Sequence, residues 1–460
     1  RVDIINQGVT QWWNTTASMP QIRGYSNNPL GVHRDWQYFL QASTRSVDEK
    51  TDEELVTNRA LFLIDAYGIK FIENSLANYT QEITENPNFI VNKDIDFLVG
   101  TTRLLKNLAW YQLSGDITSP IVSPTTSPAV LFIGNDRGYE YFIRSIAMTN
   151  LNSRFLIPIK GPRSIKDIND KELQNFPALV LYQYIGKDYE KLAKYVKGGG
   201  NLYIETNTNQ PLFEGKLPEI FPADSLTAHQ SADSDQVQKT ENDITSDIDI
   251  QNFSKFTFEG GPWKLATTKN IRSWASAYLL YNDQPVIAGG NLGAGTVIWS
   301  GLNLPFHIID NNNLEEAQFF KNILSQLVNS QYRAPDFKVE REKPELIKVK
   351  ANSISGIYFK ENYDPGWNAQ VNGKKAKIYR AGLEFMYIPT ANLEGVINTS
   401  IIYRGSLITW GLVTLTLVAT ILTLFYIIVP EVSKQLFNKF KSILQKVLGK
   451  KINTIISEEE

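Results

Sequence analysis

The chain has 460 residues, 42% of them apolar and 20% charged, with a formal net charge of −2. This length and apolar content can fill more than one core, roughly two to four domains, and so balanced a charge excludes the strong positive field of a nucleic-acid or polyanion binder. With no cysteine and only His33, His229 and His307 as histidines, disulfides, thiol nucleophiles and thiolate metal sites are excluded, and no metal or other cofactor is expected.

The chain begins at Arg1, and Arg1 to Gly8 lacks the pattern of a signal peptide; the expectation is a removed leader or the C-terminal part of a longer membrane protein. Residues 1–125 read as a mixed α/β region. Within it Leu55, Ala60, Leu61, Leu63 and Ile64 recur at helical spacing, and Tyr67 to Ile72 is extended. No catalytic constellation stands out in this region. Thr118 to Ser127, rich in Ser, Thr and Pro, reads as a linker.

Residues 126–332 carry an α/β signature. Ala129 to Ile133 is a short apolar strand ending at Gly134, and Tyr139 to Met148 a helix. Ala178 to Tyr182 is a second buried strand. Tyr189 to Val196 is a helix stopped by Gly198-Gly199-Gly200, and Asn201 to Glu205 the next strand. Such alternation predicts a parallel sheet covered by helices. Ala223 to Gln251 is polar and acidic and reads as an insertion over the sheet edge. Its carboxylates lack EF-hand spacing, so a solvated loop is the plainer reading than a calcium site. Pro285 to Ala288, a Gly-rich turn from Gly289 to Gly295, and Thr296 to Ser300 predict a hairpin. That turn joins two strands and has no Lys-Ser/Thr end, so it is not a phosphate loop. A helix from Leu314 to Val328 closes the domain.

Arg333 to Pro344 is a charged, proline-bearing connector. Residues 336–404 read as all β, with short strands and an Asn372-Gly373 turn, which suggests a small β-sandwich. Residues 406–429 hold no charge and are long enough to cross a bilayer. The flank before this span carries chiefly Arg404; the flank after it carries Lys434, Lys439, Lys441, Lys446, Lys450 and Lys451. Lys and Arg are retained on the cytoplasmic side, so the head is expected outside and the C-terminus inside. In residues 430–460, apolar positions from Val432 to Leu448 recur at helical spacing with lysines between them. This basic amphipathic tail either lies on the inner headgroup layer or packs on a partner subunit. Asn14, Asn78, Asn252 and Asn398 head Asn-X-Ser/Thr sequons on the expected outer side and are candidate N-glycosylation sites. Richness in Asn and Ile together with these sequons suits an archaeal protein.

Two resemblances add to this reading. Val130 to Gly134, the run Tyr195-Val196-Lys197-Gly198-Gly199-Gly200 with Asn201 to Ile204, and Gly293 to Leu302 together resemble the class I glutamine amidotransferase-like fold, which is flavodoxin-like. Active members use a Cys on a strand-to-helix turn, served by His and Glu. No Cys exists here, and His307 is followed by Ile308 and Ile309, so the resemblance implies a degenerate domain without hydrolase chemistry. The second resemblance rests on Gly356 to Gly373, which contains Glu361, Tyr363, Pro365, Gly366 and Trp367, on Ile378 to Gly382, and on Phe385 to Pro389. These are similar to the C-terminal β-domain of YfhO-like membrane proteins, which are related to GT-C glycosyltransferases acting on lipid-linked sugars at the outer face. That resemblance implies an extracytoplasmic head accessory to glycan or lipid-linked sugar handling at the cell envelope. It also implies a multi-span membrane partner, or a cleaved N-terminal part of the same protein, and a glycan. The alternative is a non-catalytic surface subunit that binds or scaffolds. Beyond the lipid bilayer, no nucleic-acid partner is expected.

No catalytic residue is assigned in this chain. Asn135, Asp136, Arg137, Asn303 and His307 fall near strand ends, where α/β sheets place their sites, and form a candidate ligand cleft; the bland alternative is structural hydrogen bonding. Tyr363, Asp364 and Trp367 are candidate sugar or partner contacts. Against that, Asp364 is read as a cap on the Pro365-Gly366 turn, and Trp367 as packing beneath it.

Overall fold

The computed structural model describes residues 2–4, 53–68, 71–74, 89–91, 103–107, 122–149, 151–186, 188–206, 216–232, 236–258, 261–390, 393–405 and 407–431. Asn14, Asn78 and the tail from Val432 onward lie outside them. The chain forms two compact units, one of residues 1–363 and 368–402, the other of 364–367 and 403–460.

In the first unit, β1 (Val2–Ile4), β2 (Phe71–Asn74), β3 (Phe89–Val91) and β4 (Arg103–Asn107) make a sheet in the order β1-β2-β4-β3. Between β1 and β2 runs α1 (Glu53–Tyr67), which buries Leu55, Phe62, Leu63 and Ala66. The helix runs to Tyr67, and the extended segment starts at Phe71, a few residues later than the sequence suggests.

The next elements build a sheet of twelve strands. In chain order these are β5 (Val122–Thr125), β6 (Ala129–Ile133), β7 (Ile157–Lys160), β8 (Ala178–Tyr182) and β9 (Asn201–Glu205). A small ladder pairs β10 (Thr227–Gln230) with a later strand, and β11 (Val237–Lys239) joins the large sheet. After the two-residue pair β12 (Thr257–Phe258) and β13 (Gly261–Pro262) come β14 (Lys264–Thr267), the partner of β10, then β15 (Ala275–Tyr281), β16 (Gln284–Leu292) and β17 (Gly295–Ser300). Five of these run parallel, in the order β7-β6-β8-β9-β17, and β16, β15 and β11 extend the sheet antiparallel. Every residue of β6 and β8 is buried. Helices cover both faces of such a sheet, so its strands are apolar throughout rather than alternating. The helices are α2 (Asp136–Met148), the short α3 (Asp170–Leu173), α4 (Tyr189–Lys197), α5 (Leu304–Asn311) and α6 (Leu314–Leu327). Phe320 of α6 meets Phe142 of α2 at 6.1 Å and Tyr203 of β9 at 5.8 Å between ring centroids. Gly199, at φ +104°, ends α4 in a conformation that a side chain resists.

The β-rich region after the connector divides its strands between two sheets. β18 (Phe337–Lys343), β19 (Leu346–Asn352), β21 (Trp367–Val371), β22 (Lys374–Ala376) and β25 (Val396–Tyr403) form a five-stranded sheet in the order β18-β19-β25-β21-β22. β20 (Gly356–Phe359), β23 (Tyr379–Ala381) and β24 (Phe385–Pro389) instead join the large sheet, β23 pairing with β7. The reason lies in their sequences. β19 alternates buried Ile347, Val349 and Ala351 with exposed lysines, whereas β20 and β24 are apolar and buried at every position. Strands of the second kind need cover on both faces. β5 completes this edge, in the segment whose composition reads as a linker; Pro124, which has no N–H to donate, is tolerated there because β5 is the outermost strand. The acidic insertion contributes β11 to the opposite edge, and Asp249 caps a 3-10 turn at Ile250–Asn252.

The second unit contains α7 (Leu407–Ile428), 22 residues without a charge. Residues Trp410–Ile428 have a mean hydropathy of 2.3 and none of them is buried. The hydroxyls of Thr414, Thr416, Thr420 and Thr423 donate to the carbonyls four residues back at 2.8–2.9 Å, which hides their polarity along the helix. This is one helix at the C-terminal end long and apolar enough to cross a membrane.

Candidate functional site at the strand ends

The carboxyl ends of β6, β8, β9 and β17 lie side by side. The chain leaves β6 through Asn135, whose side chain accepts from Gly138 N at 2.7 Å and caps α2. Asp136 pairs with Lys160 at 3.0 Å and Arg163 at 2.9 Å. The hydrogen bonds from Lys160 and then Arg163 hold its carboxyl below the usual range. Lys160 also reaches Glu384 at 3.1 Å. The Arg137 guanidinium lies 6.0 Å from the Tyr141 ring centroid.

Tyr182 ends β8. Its ring stacks on Phe132 at 5.8 Å and lies so close over Gly138 that a Cβ there would come within 2.3 Å of Tyr182 Cδ1. Its hydroxyl donates to Asn303 Oδ1 in a short hydrogen bond, and burial pushes its pKa upward. Asn303, at φ +60°, turns the chain out of β17 into α5 in the left-handed conformation, which Asn adopts more readily than most residues.

The same turn encloses a buried carboxyl group. Glu205, at the end of β9, accepts from Asn303 N at 2.8 Å, Leu304 N at 3.0 Å and the Tyr203 hydroxyl at 2.5 Å. Burial pushes its pKa up to about 8, against the opposing pull of these hydrogen bonds. One turn along α5, His307 Nδ1 meets Glu316 Oε2 of α6 at 2.6 Å, both side chains fully buried. Glu316 Oε1 accepts from Ser254 N at 2.8 Å. His307 Nε2 has no hydrogen-bond partner among the described residues, and Trp263 and Phe256 crowd the imidazole with ring centroids at 4.5 and 5.0 Å.

Of the five cleft residues named from sequence, Asn303 and His307 share α5, and His307 N donates to Asn303 O at 3.0 Å. Asn135, Asp136 and Arg137 open α2, which packs on α5 through Tyr141 and Phe306 at 4.7 Å between centroids. All five thus belong to one edge. The side chains of Asn135, Asp136 and Asn303 engage structural partners, whereas Arg137 is exposed. The central residues, Tyr182, Glu205 and Glu316, were not singled out by sequence reasoning. Signals existed: a carboxylate ends an otherwise apolar strand, and Asn313-x-x-Glu316 has the spacing of a helix N-cap and its third helical residue.

The other candidates make local contacts. In the first unit, Arg380 lies 4.8 Å from the Tyr363 ring centroid, and Tyr363 N donates to Glu384 O at 2.7 Å. In the second unit, Asp364 Oδ1 accepts from Gly366 N at 2.7 Å, the turn-capping role, and Trp367 meets the Tyr403 ring at 5.2 Å. Asn252 and Asn398 are exposed, Asn398 in the middle of β25. Among the described residues no group of three or more His, Asp or Glu side chains is placed to hold a metal ion.

No family model and no curated protein matches the chain. Among solved structures it is similar to a cytoplasmic protein from Salmonella typhimurium LT2, at 16% identity over 43% of this chain and 99% of that one, with a TM-score of 0.32. A second cytoplasmic protein from Salmonella typhimurium matches at 11% identity over 43% and 98%, with a TM-score of 0.30. A beta-galactosidase from Rahnella sp. R3 matches at 13% identity over 60% and 41%, with a TM-score of 0.27.

Proposed function

We propose that this chain is the membrane-anchored, extracytoplasmic head of a glycosyltransferase-like membrane protein of the YfhO and GT-C kind, accessory to glycan or lipid-linked sugar handling at the cell envelope. The observation that carries the anchoring is α7, along which large apolar side chains are exposed: Leu412, Leu415, Leu417, Ile421 and Leu422 are each more than half exposed. That much apolar surface is costly in water and is satisfied in lipid. The lysine-rich segment beyond it supports a cytoplasmic C-terminus. The order β7-β6-β8-β9-β17, with β6 first in sequence, is the 2-1-3-4-5 order of flavodoxin-like sheets, which supports the amidotransferase-like reading of residues 126–332. The five-stranded sheet, with one buried face, is the part that supports the sandwich reading.

A second reading, a non-catalytic binding or scaffolding subunit, draws on one observation. The switch point of a 2-1-3-4-5 sheet lies between its first and third strands, here β6 and β8, and Tyr182 fills the space over Gly138 at that place. Under either reading the chemistry belongs to a multi-span partner or to another part of the same protein.

The absence of cysteine makes the topology test clean. In intact cells, Lys269→Cys should react with a membrane-impermeant maleimide, and Ser433→Cys only after permeabilisation. The reverse pattern would overturn the orientation. Native purification should also retain lipid-linked saccharide; co-purification of protein subunits alone would favour the scaffold.

A further inference from the structure

The run Gly198-Gly199-Gly200, besides stopping α4, forms part of the wall of a cavity of about 450 Å³ near the amino ends of β8 and β9. Asp170 of α3, Gln174 just after it, and Lys194 and Tyr195 of α4 share the lining. Clefts of roughly 300–1,000 Å³ are the usual size for small ligands. Two of the three glycines have internal reasons. Gly199 holds φ +104°, and a Cβ on Gly200 would come within 2.1 Å of the Tyr195 ring. Gly198 differs. Its φ is −82°, and a Cβ there would meet only the carbonyls of Lys194 and Tyr195, at 3.3 and 3.5 Å, a fit that a small adjustment admits. Its missing side chain leaves bare peptide on the cavity wall. The carbonyl oxygens of Gly198 and Gly199 accept no hydrogen bond among the described residues. The Asp170 carboxylate meets Lys194 at 3.1 Å and Lys191 at 3.8 Å, which engages two of its roughly four lone-pair positions. The Tyr195 hydroxyl donates to Phe176 O at 2.8 Å, and this bond together with the contact to Gly200 fixes the ring.

We propose that this cavity binds a saccharide of one or two pyranose rings. The C–H face of a ring lies against Tyr195 and the glycine backbone, and its hydroxyls bond to Asp170, Gln174, Lys194 and the glycine carbonyls. The lining sets hydrogen-bond acceptors and donors beside a fixed aromatic ring, and a pyranose carries hydroxyls of both kinds around an apolar face. A wholly apolar ligand would strip water from Asp170 and Lys194 and return no hydrogen bond. Inorganic phosphate would meet the Asp170 carboxylate and two carbonyl oxygens, which repel it. The proposal rests on the glycan-handling reading above and names where the glycan is held.

The test is saturation-transfer NMR on the full chain, in micelles of a detergent without a sugar headgroup. Cellobiose and diacetylchitobiose serve as probes, and glycerol as the control. Saturation should pass from the protein to pyranose C–H protons and not to glycerol. Asp170→Asn, at an exposed position, should weaken binding about tenfold, the effect of losing a hydrogen bond to a charged group. Gly198→Leu should weaken it at least as much by covering the bare wall. Lys171→Ala, on α3 but outside the lining, should change nothing. Gly198→Leu can disturb the end of α4, so Asp170→Asn, checked for an unchanged unfolding midpoint, carries the decision. No transfer to either disaccharide, or transfer indifferent to Asp170→Asn, would overturn the proposal. If that happens while Lys269→Cys is labelled from outside, the site falls and the placement of the head stands. Transfer in a chain whose Lys269→Cys is protected keeps the site and removes the envelope reading.

Discussion

His307 and Glu316 lie on consecutive helices separated by a break at Asn312 and Asn313, and their side chains meet at 2.6 Å with no exposure to solvent. The pair ties the helix that follows the last parallel strand to the helix that closes the domain. Removing one partner from such a pair leaves the other polar group buried and uncompensated. Glu316→Ala should therefore cost about 3–5 kcal/mol in denaturant unfolding, whereas the double change His307→Phe with Glu316→Leu should cost clearly less. Equal losses for the single and double variants would contradict this account.

Glu205 gives the first unit a pH dependence of definite sign. Its folded pKa of about 8 lies above the ordinary glutamate value of about 4.3. Between these two values the unfolded chain has released this proton and the folded chain has kept it. Its contribution should thus destabilise the fold progressively as pH rises from about 4.3 to about 8, and level off beyond, by an amount of order a few kcal/mol. Glu205→Gln, which stays neutral, should flatten this part of a melting-temperature profile. A profile that keeps its slope in the variant would assign the effect to other groups.

The contact between Gly138 and Tyr182 is steric. A methyl group at 138 would stand 2.3 Å from the ring, which Phe132 and Asn303 hold in place. Gly138→Ala should destabilise the unit by about 1–3 kcal/mol as an overpacking change. Combining it with Tyr182→Leu should recover part of that loss, as read from unfolding midpoints.

For α7 the expected behaviour is partition. Val418→Arg places a charge near the middle of the apolar stretch, at a cost of about 2.5–3.5 kcal/mol for insertion. After alkaline extraction the parent chain should stay with the membrane pellet, and the variant should shift toward the soluble fraction. If both chains are released alike, α7 is not the anchor.

Much of the α/β core was legible because its signals are local. Ala129 to Ile133 and Ala178 to Tyr182 are unbroken apolar runs ending at turn residues, and the glycines at 198–200 stop a helix of clear periodicity. α5 was harder to read. It is eight residues long and starts after an Asn in the left-handed region, a state that depends on Glu205 accepting the N–H groups of Asn303 and Leu304 from a strand about a hundred residues earlier. The pairing of His307 with Glu316 was hidden for a related reason. The spacing of nine residues is meaningful only once the chain is known to break at Asn312, whose positive φ ends α5. Likewise, Gly356–Phe359 reads as a strand from its composition, but its partners, β24 and β5, are decided by which surfaces remain uncovered elsewhere.

That last pairing sets an order of events during synthesis. Thr125 of β5 lies opposite Gly356 of β20, more than two hundred residues later, and β23 closes on β7 only when residue 381 exists. Domains generally fold as units while the chain emerges, and long-range pairings come late. The large sheet therefore has an open side until the ribosome has nearly reached α7. Closure of this sheet and emergence of the apolar helix fall into the same short interval of translation, so a change that slows one would leave the other exposed.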